Sequence, residues 1–375
     1  MIKSFLGLFA FVFLMPAAVH NLPVAADDQA PNIQVALLLD TSNSMDGLID
    51  QAKSQLWKMV NELATTKKDG QAPNIEIALY EYGNDGLPGS EGHIRQVTPL
   101  TADLDLVSEK LFALSTNGGS EYCGYVINRA VKQLGWSDQN DDLKIIIIAG
   151  NEPFDQGPEA YKDACRDAIK QGIIVNTIFC GNYDEGVRTY WKEGADLADG
   201  KYFNIDLNQR VVHIPTPFDD RILELNRKLN DTYIGYGQQG RQRVEMQAAQ
   251  DANAATYGAA NAAERASFKA KESYKNTSWD LVDAVEEDEK ALDKLSKDDL
   301  PEEMKNMNKE EQKKFVEEKS KERDDIRKEI LDLEQQANKY RDEKRKEMAE
   351  TGDNTLDKVM SKAMQEQAQK KGFNK

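Results

Sequence analysis

Catalytic residue types are scarce in this chain of 375 residues, which has only three histidines and three cysteines. His20 lies in an N-terminal segment considered below, and His93 and His213 have no serine or cysteine partner in a recognisable nucleophile motif. The sequence also lacks a Gly-Lys-Ser/Thr phosphate loop, a Cys-x-x-Cys pair and a His-Glu-x-x-His motif. We therefore predict a binding or structural protein rather than an enzyme.

Acidic residues outnumber basic ones. The chain has 65 acidic and 48 basic residues, a net charge of −17. Most of such a surface repels DNA and anionic lipid, so we expect no nucleic-acid partner. The length suggests about two domains, but the aromatic content of 8% is thin for two cores. The mean hydropathy of −0.66 points to a long stretch that is not globular.

The N-terminal segment has the pattern of an export signal. Lys3 is followed by an apolar run from Phe5 to Met15, and small residues stand at Val24-Ala25-Ala26. A membrane anchor is the alternative, but a span needs about 20 apolar residues and this run is shorter. We predict that residues 1–26 are removed, which leaves a secreted or periplasmic protein with no integral membrane span.

Residues 33–205 alternate between strand and helix patterns. The predicted strands are Ile33–Leu39, Ile75–Tyr82, a short edge strand Ile94–Val97, Leu143–Ala149, Ile173–Cys180 and Tyr202–Ile205. The predicted helices are Met45–Leu63, Leu104–Leu114, Tyr122–Leu134, Pro158–Lys170 and Val187–Ala198. Near-continuous apolar strands that alternate with helices predict an α/β fold with a doubly wound, mostly parallel sheet.

The composition changes after Pro217. Residues 218–275 predict a helical linker region, in which 241–271 has few large apolar residues and is expected to pack weakly. Residues 276–350 are highly charged and favour helix. We expect a flexible tail over 351–375.

The charged region has a coiled-coil seam. Ile326, Ile330, Leu333, Ala337 and Tyr340 step by four, three, four and three residues. The region 281–295 partly follows the same rhythm, and Leu300-Pro301 lies between the two. An antiparallel hairpin or coiled coil is the simplest arrangement, which permits a homo-oligomer through these helices. A single solvated helix is the alternative.

One motif carries chemistry. Asp40, Ser42 and Ser44 follow the first buried strand directly and open a helix. In open parallel sheets, ligands bind beyond the carboxyl ends of the strands. One carboxylate and two hydroxyls suit a hard cation such as Mg²⁺ or Ca²⁺. Helix capping alone is the other explanation for these residue types.

Asp-x-Ser-x-Ser after a first strand resembles the von Willebrand factor A domain, whose metal-ion-dependent adhesion site (MIDAS) this motif forms. The resemblance covers about 32–206, within a predicted domain of 32–214. It includes the order of strands and helices and a loop that reads Gly118-Gly119-Ser120. In the family a threonine hydroxyl from that loop joins the metal shell, so the resemblance implies that Ser120 does so here.

The sequence departs from the family at the end of the fourth strand. The family pattern is Thr-Asp-Gly-Glu, whereas this chain has Gly150 at the position of the aspartate that completes the site. Glu152 lies two residues further on and is the candidate replacement. The resemblance therefore implies a site for Mg²⁺, or Ca²⁺ or Mn²⁺, with one carboxylate fewer and a weaker affinity.

Two functions follow from the resemblance. In the family, an acidic side chain of a partner protein fills the open position on the metal, which predicts an exported, non-enzymatic protein with a partner of that kind. The alternative is a structural protein with a degenerate site, whose helical arm mediates assembly.

The sequence does not decide the state of the three cysteines. Cys123, Cys165 and Cys180 could include one disulfide in an oxidising compartment, or all three could be buried thiols. If the fold is as expected, Cys123 and Cys180 lie toward the rim with the metal loops, where a disulfide would stiffen the site.

Overall fold

The computed structural model describes residues 30–207, 213–348 and 364–374. The predicted signal, residues 1–26, lies outside the described residues. Within the described residues, six strands form one sheet in the order β3-β2-β1-β4-β5-β6. The strands are β1 Asn32–Asp40, β2 Asn74–Tyr82, β3 Ile94–Thr101, β4 Leu143–Gly150, β5 Ile173–Cys180 and β6 Tyr202–Ile205.

The predicted doubly wound sheet is confirmed. Strands β1, β2, β4, β5 and β6 are parallel, and only the edge strand β3 runs antiparallel. The two central strands, β1 and β4, are buried almost throughout, as their apolar runs predict for a sheet covered on both faces. Asp40 and Gly150, the last residues of β1 and β4, therefore reach the same edge of the sheet.

Eleven α-helices lie within residues 30–207 and 213–348. They are α1 Asp46–Ala64, α2 Leu104–Phe112, α3 Cys123–Gln133, α4 Tyr161–Lys170, α5 Tyr183–Arg188, α6 Trp191–Asp196, α7 Asp219–Asn230, α8 Gly240–Ala255, α9 Ala259–Lys269, α10 Leu281–Glu287 and α11 Lys309–Met348. The predicted helix Val187–Ala198 is two helices, because Tyr190 has a positive φ of 71° between α5 and α6.

The two faces of the sheet have separate cores. Helices α3, α4 and α6 cover one face, around Ile146, Ile148 and Trp191. Helices α1 and α2 cover the other face, around Leu37 and Ile147. Helices α7, α8 and α9 form a further layer on α1 and α2.

The weak packing expected for 241–271 is wrong. Phe268 and Ala266 are fully buried in the core below α1. Arg265 is also buried, and its guanidinium pairs with Asp105 at 2.7 Å and Asp251 at 2.6 Å. The sequence has few large apolar residues here because buried ion pairs fill part of the layer.

The coiled-coil seam is covered within the chain itself. Ile330 and Ala337 of α11 have no exposed surface, and α11 packs on α7 and α9. The hairpin partner expected over 281–295 is not one helix, since α10 ends at Glu287 and a 3₁₀ turn follows at Leu292–Lys294. At the start of α11 the two segments do meet, around a small separate core with Val282 and Val316.

The prediction of a flexible tail over 351–375 is wrong for residues 364–374. We call these residues the closing segment. It begins with a helix over 364–370, and its Met364, Ala368 and Phe373 are buried in the core on the α1 face. The side-chain amides of Gln367 and Asn176 exchange hydrogen bonds of 2.8 and 2.9 Å. The closing segment is therefore an integral cover of the sheet.

No helix in the described ranges is long and apolar enough to cross a membrane.

Glu264, at the layer between α1 and α11, gives the fold a pH dependence. Burial raises the pKa of this carboxyl to about 7. The folded chain therefore holds the proton more tightly than the unfolded chain, and stability falls as pH rises from about 4.5 to 7. At pH 8 we expect the free energy of unfolding of Glu264→Gln, measured with urea, to exceed that of the wild type by about 3 kcal/mol, with a difference below about 1 kcal/mol at pH 5.

The exposed Glu272 supplies the control. Glu272→Gln should follow the wild type at both pH values. Equal stabilities of Glu264→Gln and wild type at pH 8 would refute the assignment to Glu264.

Candidate metal centre at the carboxyl edge of the sheet

The Asp-x-Ser-x-Ser motif turns at the end of β1 as the sequence predicts. Asp40 has no exposed surface, and the backbone N–H of Ser42 donates to its Oδ1 at 2.8 Å. The Oγ atoms of Ser42 and Ser44 are 3.5 Å apart. These contacts bring the three side chains together where β1 meets α1.

A second carboxylate, not found by sequence reasoning, lies beside this motif. Glu121 is 3% exposed, and its carboxylate is within hydrogen-bonding reach of Asp40 and Ser42. Gly83, with a φ of 76°, permits the approach, because a Cβ there would lie 2.7 Å from Asp40 Oδ1 and 2.8 Å from Glu121 Cγ. The end of β2 thus leaves room for two acids side by side.

Each of these two acids has one oxygen that lacks a partner. Asp40 Oδ2 and Glu121 Oε2 are buried and accept no hydrogen bond within the described part of the chain. Burial raises the pKa of Asp40 well above its usual value, and the neighbouring Glu121 adds to the effect. Burial likewise raises the pKa of Glu121. Such a pair needs a positive charge or a proton between the oxygens.

Gly150 marks the place that the family's aspartate would occupy. A Cβ at this position would lie 2.4 Å from Tyr82 Oη and 3.3 Å from Asp40 Cβ. The Tyr82 hydroxyl donates to the carbonyl oxygen of Ala149 at 2.9 Å and is fully buried. Tyr82 therefore fills the space next to Asp40, and the second carboxylate arrives from the 115–122 loop.

The other two predicted ligands lie at the margin of this cluster. Ser120 is half-buried, directly before Glu121. Glu152 is exposed, and its carboxylate accepts a hydrogen bond of 3.0 Å from Gln156, whereas its backbone N–H faces Glu121. Metal ligation by Ser120 and Glu152 stays a prediction.

The loop after β4 also contacts the motif. Asn151 Nδ2 donates to Ser44 Oγ at 3.0 Å, and the indole N–H of Trp191 donates to the Glu152 carbonyl at 2.8 Å. The Asn117 N–H, from the Glu121 loop, donates to the Thr41 carbonyl at 2.9 Å. Backbone and side-chain bonds therefore tie three loops around the two acids.

The cysteines are three buried free thiols, so the disulfide alternative is wrong for this structure. Cys123 packs on the α3 face, with Sγ 3.9 Å from Tyr82 Oη, whereas Cys180 lies on the α1 face. Burial raises the pKa of all three thiols, which makes them poor nucleophiles.

The donor set fits a hard divalent cation. Two carboxylate oxygens have no hydrogen-bond partner among the described residues, and two hydroxyls lie within the same turn. Carboxylates and hydroxyls are oxygen ligands of the kind that Mg²⁺ and Ca²⁺ take. No group of three or more His, Cys, Asp or Glu side chains within the described residues is arranged to hold a metal. The candidate ligands at this edge of the sheet are therefore two carboxylates, from Asp40 and Glu121, and the hydroxyls of Ser42 and Ser44.

Comparison with known proteins agrees with the fold. The family model of the von Willebrand factor type A domain matches residues 34–194. No curated protein matches the sequence.

Solved structures with a similar fold have low sequence identity. The conserved hypothetical protein BatB from Bacteroides thetaiotaomicron is 18% identical, with a TM-score of 0.36 over 47% of this chain and 91% of that one. The SpRpn10 VWA domain is 15% identical, with a TM-score of 0.37 over 48% of this chain and 90% of that one. Proximal thread matrix protein 1 from the mussel byssus, with a zinc-occupied MIDAS motif, is 12% identical, with a TM-score of 0.37 over 48% of this chain and 43% of that one.

Proposed function

Since residues 34–194 form a von Willebrand factor type A domain, we propose that this chain binds a partner protein through a divalent cation at the carboxyl edge of its sheet. Domains of this family mediate protein–protein interaction and are typically adhesion modules rather than enzymes. The proposed ligands are Asp40, Ser42, Ser44 and Glu121, with Ser120 beside them.

One observation carries the proposal. Asp40 Oδ2 and Glu121 Oε2 are both buried and accept no hydrogen bond from the residues that the structure describes, and two such oxygens on adjacent carboxylates repel each other when both are ionised. Unpaired charge in a buried site is costly unless a cation compensates it. A divalent cation would neutralise both acids at once and use the oxygens that have no other partner.

The bound cation would supply a Lewis-acidic point of attachment. Mg²⁺ keeps several waters when it binds few protein carboxylates, and such waters are replaceable by another oxygen ligand. Asp40 and Glu121 would supply the two carboxylates that hold the ion, and the hydroxyls of Ser42 and Ser44 would be further oxygen ligands. An acidic side chain of the partner is the ligand that completes this arrangement, as it is in the family. Mg²⁺ is the first choice, with Ca²⁺ or Mn²⁺ as alternatives.

The second candidate function, assembly through the helical arm, has less support. Its seam residues Ile330 and Ala337 already pack against α7 and α9 of the same chain. A homo-oligomer through that seam would have to displace these helices. Export of the protein stays a proposal that rests on the sequence pattern of residues 1–26.

The proposal predicts which variants lose stabilisation by metal. A ligand at 100 times its Kd raises the free energy of unfolding by about 2.7 kcal/mol, so Mg²⁺ should raise the melting temperature of the wild type. Asp40→Ala and Glu121→Gln should lose this shift. In EDTA, Glu121→Gln should be more stable than the wild type, because it removes one of two adjacent buried acids.

Glu152→Gln is the matched control, since Glu152 is an exposed acid on the loop beside the candidate metal centre. It should keep most of the Mg²⁺ shift. A shift lost in Glu152→Gln and kept in Glu121→Gln would assign the second carboxylate to Glu152. Superimposed curves for all variants with and without Mg²⁺, Ca²⁺ or Mn²⁺ would refute the cation site.

A further inference from the structure

An apolar surface stands out beside the candidate metal centre. Within the described ranges, the large apolar side chains that stay exposed are Tyr183, Val187 and Tyr190, at 47%, 39% and 42%. Single exposed apolar residues are common on protein surfaces, but a group of them marks an interaction site. These three, here called the tyrosine patch, come from one short stretch over α5 and the turn before α6.

The tyrosine patch belongs to the same rim as the candidate cation. Helix α5 follows the carboxyl end of β5, as Ser42 and Ser44 follow that of β1. The Phe154 N–H donates to the Thr189 carbonyl at 2.9 Å, and Trp191 donates to Glu152. A Cβ at Gly150 would touch Trp191 Cη2 at 3.2 Å. One loop, 151–154, thus borders both the metal centre and the patch.

Tyr190 is held in a conformation that its side chain disfavours. Its φ of 71° lies in the left-handed region, which costs free energy for any residue with a Cβ. Its ring stacks on Tyr161 at a centroid distance of 6.0 Å, so one face is supported and the ring still has much exposed surface. Backbone strain of this kind is concentrated at binding sites.

The charges around the patch select the kind of occupant. Asp184 and Glu185 are exposed on α5 together with one base, Arg188, and Glu152 and Asp155 are exposed on the neighbouring loop, so four acids surround the patch against one base from these two segments. An anionic lipid or a nucleic acid would meet repulsion here, and so would a second copy of a chain with a net charge of −17. Lysine and arginine fit, because they pair with these acids and stack on tyrosine rings.

We propose that the tyrosine patch receives basic and apolar side chains of a protein segment whose own carboxylate binds the cation. The proposal rests on the proposed function for the metal, and it adds the composition of the partner: one Asp or Glu beside Lys or Arg and an apolar residue. The tyrosine patch then supplies selectivity, since the cation alone would accept any accessible carboxylate. Tyrosine is among the residues that contribute most to protein interfaces.

A peptide library tests this composition without knowledge of the natural partner. Random 12-residue peptides displayed on phage are selected on the full chain with Mg²⁺ and eluted first with EDTA and then with acid, which recovers the peptides that EDTA does not release. We expect enriched sequences that combine an acid with basic and apolar residues. Synthetic copies should bind Tyr183→Ser/Tyr190→Gly at least tenfold more weakly than the wild type. Glycine at 190 suits the positive φ, so this variant should fold.

The control is Tyr340→Ser, at a half-buried tyrosine on α11, which should bind as the wild type does. Both variants should keep the Mg²⁺-induced shift in melting temperature. EDTA-sensitive peptides that bind the patch variant as well as the wild type would overturn the patch inference and leave the cation function standing. Peptides that ignore EDTA would overturn the cation function. A selection without enrichment would overturn the patch inference.

Discussion

Gly150→Asp is expected to damage the protein rather than restore the site. The substitution recreates the family's aspartate, so sequence comparison alone predicts tighter metal binding. The structure predicts the opposite, because a Cβ at position 150 would lie 2.4 Å from the buried Tyr82 hydroxyl and 3.2 Å from Trp191. The new carboxylate would also be a third acid beside Asp40 and Glu121. We expect a loss of more than about 3 kcal/mol from overpacking and buried charge.

Urea denaturation with and without Mg²⁺ measures this effect. Gly150→Ala adds the Cβ without the charge and should lose roughly 1–3 kcal/mol, so the difference between the two variants isolates the carboxylate. Adding Tyr82→Phe removes the hydroxyl that the Cβ meets and should recover part of the loss in both. If Gly150→Asp were as stable as the wild type and more strongly stabilised by Mg²⁺, Glu121 would not be the replacement for the missing acid.

Loss of the closing segment is the second large effect that we expect. Phe373 has no exposed surface, and Asn374 pairs its backbone with Lys67 through hydrogen bonds of 2.7 and 2.8 Å. Truncation of a buried phenylalanine costs about 3–5 kcal/mol, so Phe373→Ala should lower the free energy of unfolding by about this amount and shift the denaturation midpoint to a lower urea concentration. Deletion of 364–375 should cost more, since it also leaves the buried Asn176 amide without Gln367.

Equilibrium denaturation of the full chain and of the variants checks this expectation. Lys370→Ala is the matched control, because Lys370 is exposed on the same short helix, and it should unfold as the wild type does. If Phe373→Ala and Lys370→Ala had equal midpoints, the closing segment would not be part of the folded core.

The sheet could be predicted because its signals are local. Each strand is a short apolar run, and the alternation with helices fixes a parallel, doubly wound arrangement. The sequence also predicts the position of Asp40, Ser42 and Ser44, because the carboxyl ends of parallel strands lie at the same edge of the sheet. Five of the six strands lie within about two residues of the bounds that the sequence predicts, and β3 is longer than predicted.

The second carboxylate could not be found in this way. Glu121 reaches Asp40 because a loop folds back over Gly83, and a loop's path depends on contacts that no local pattern records. The signal available was the acid directly after Ser120 in a chain that lacks one at position 150. The sequence shows a glycine at position 150 where the family pattern has an aspartate, but it does not show that Tyr82 already fills the space beside this glycine, which is a property of the packed core.

The predictions for the C-terminal region were wrong for a different reason. The seam on α11 has the same spacing whether it packs on a second copy or on helices of its own chain, so periodicity cannot distinguish them. The buried pairs of Arg265 with Asp105 and Asp251 look like surface charges in the sequence. Only the tertiary fold identifies them as part of a core.

The contact between Asn176 and Gln367 also has a consequence for synthesis. The two residues are 191 positions apart, and a ribosome adds about 5–20 residues per second, so roughly 10–40 s separate their translation. During that interval part of the sheet face under the closing segment has no cover in the nascent chain. We expect this face to be the region that a chaperone binds before the protein is released.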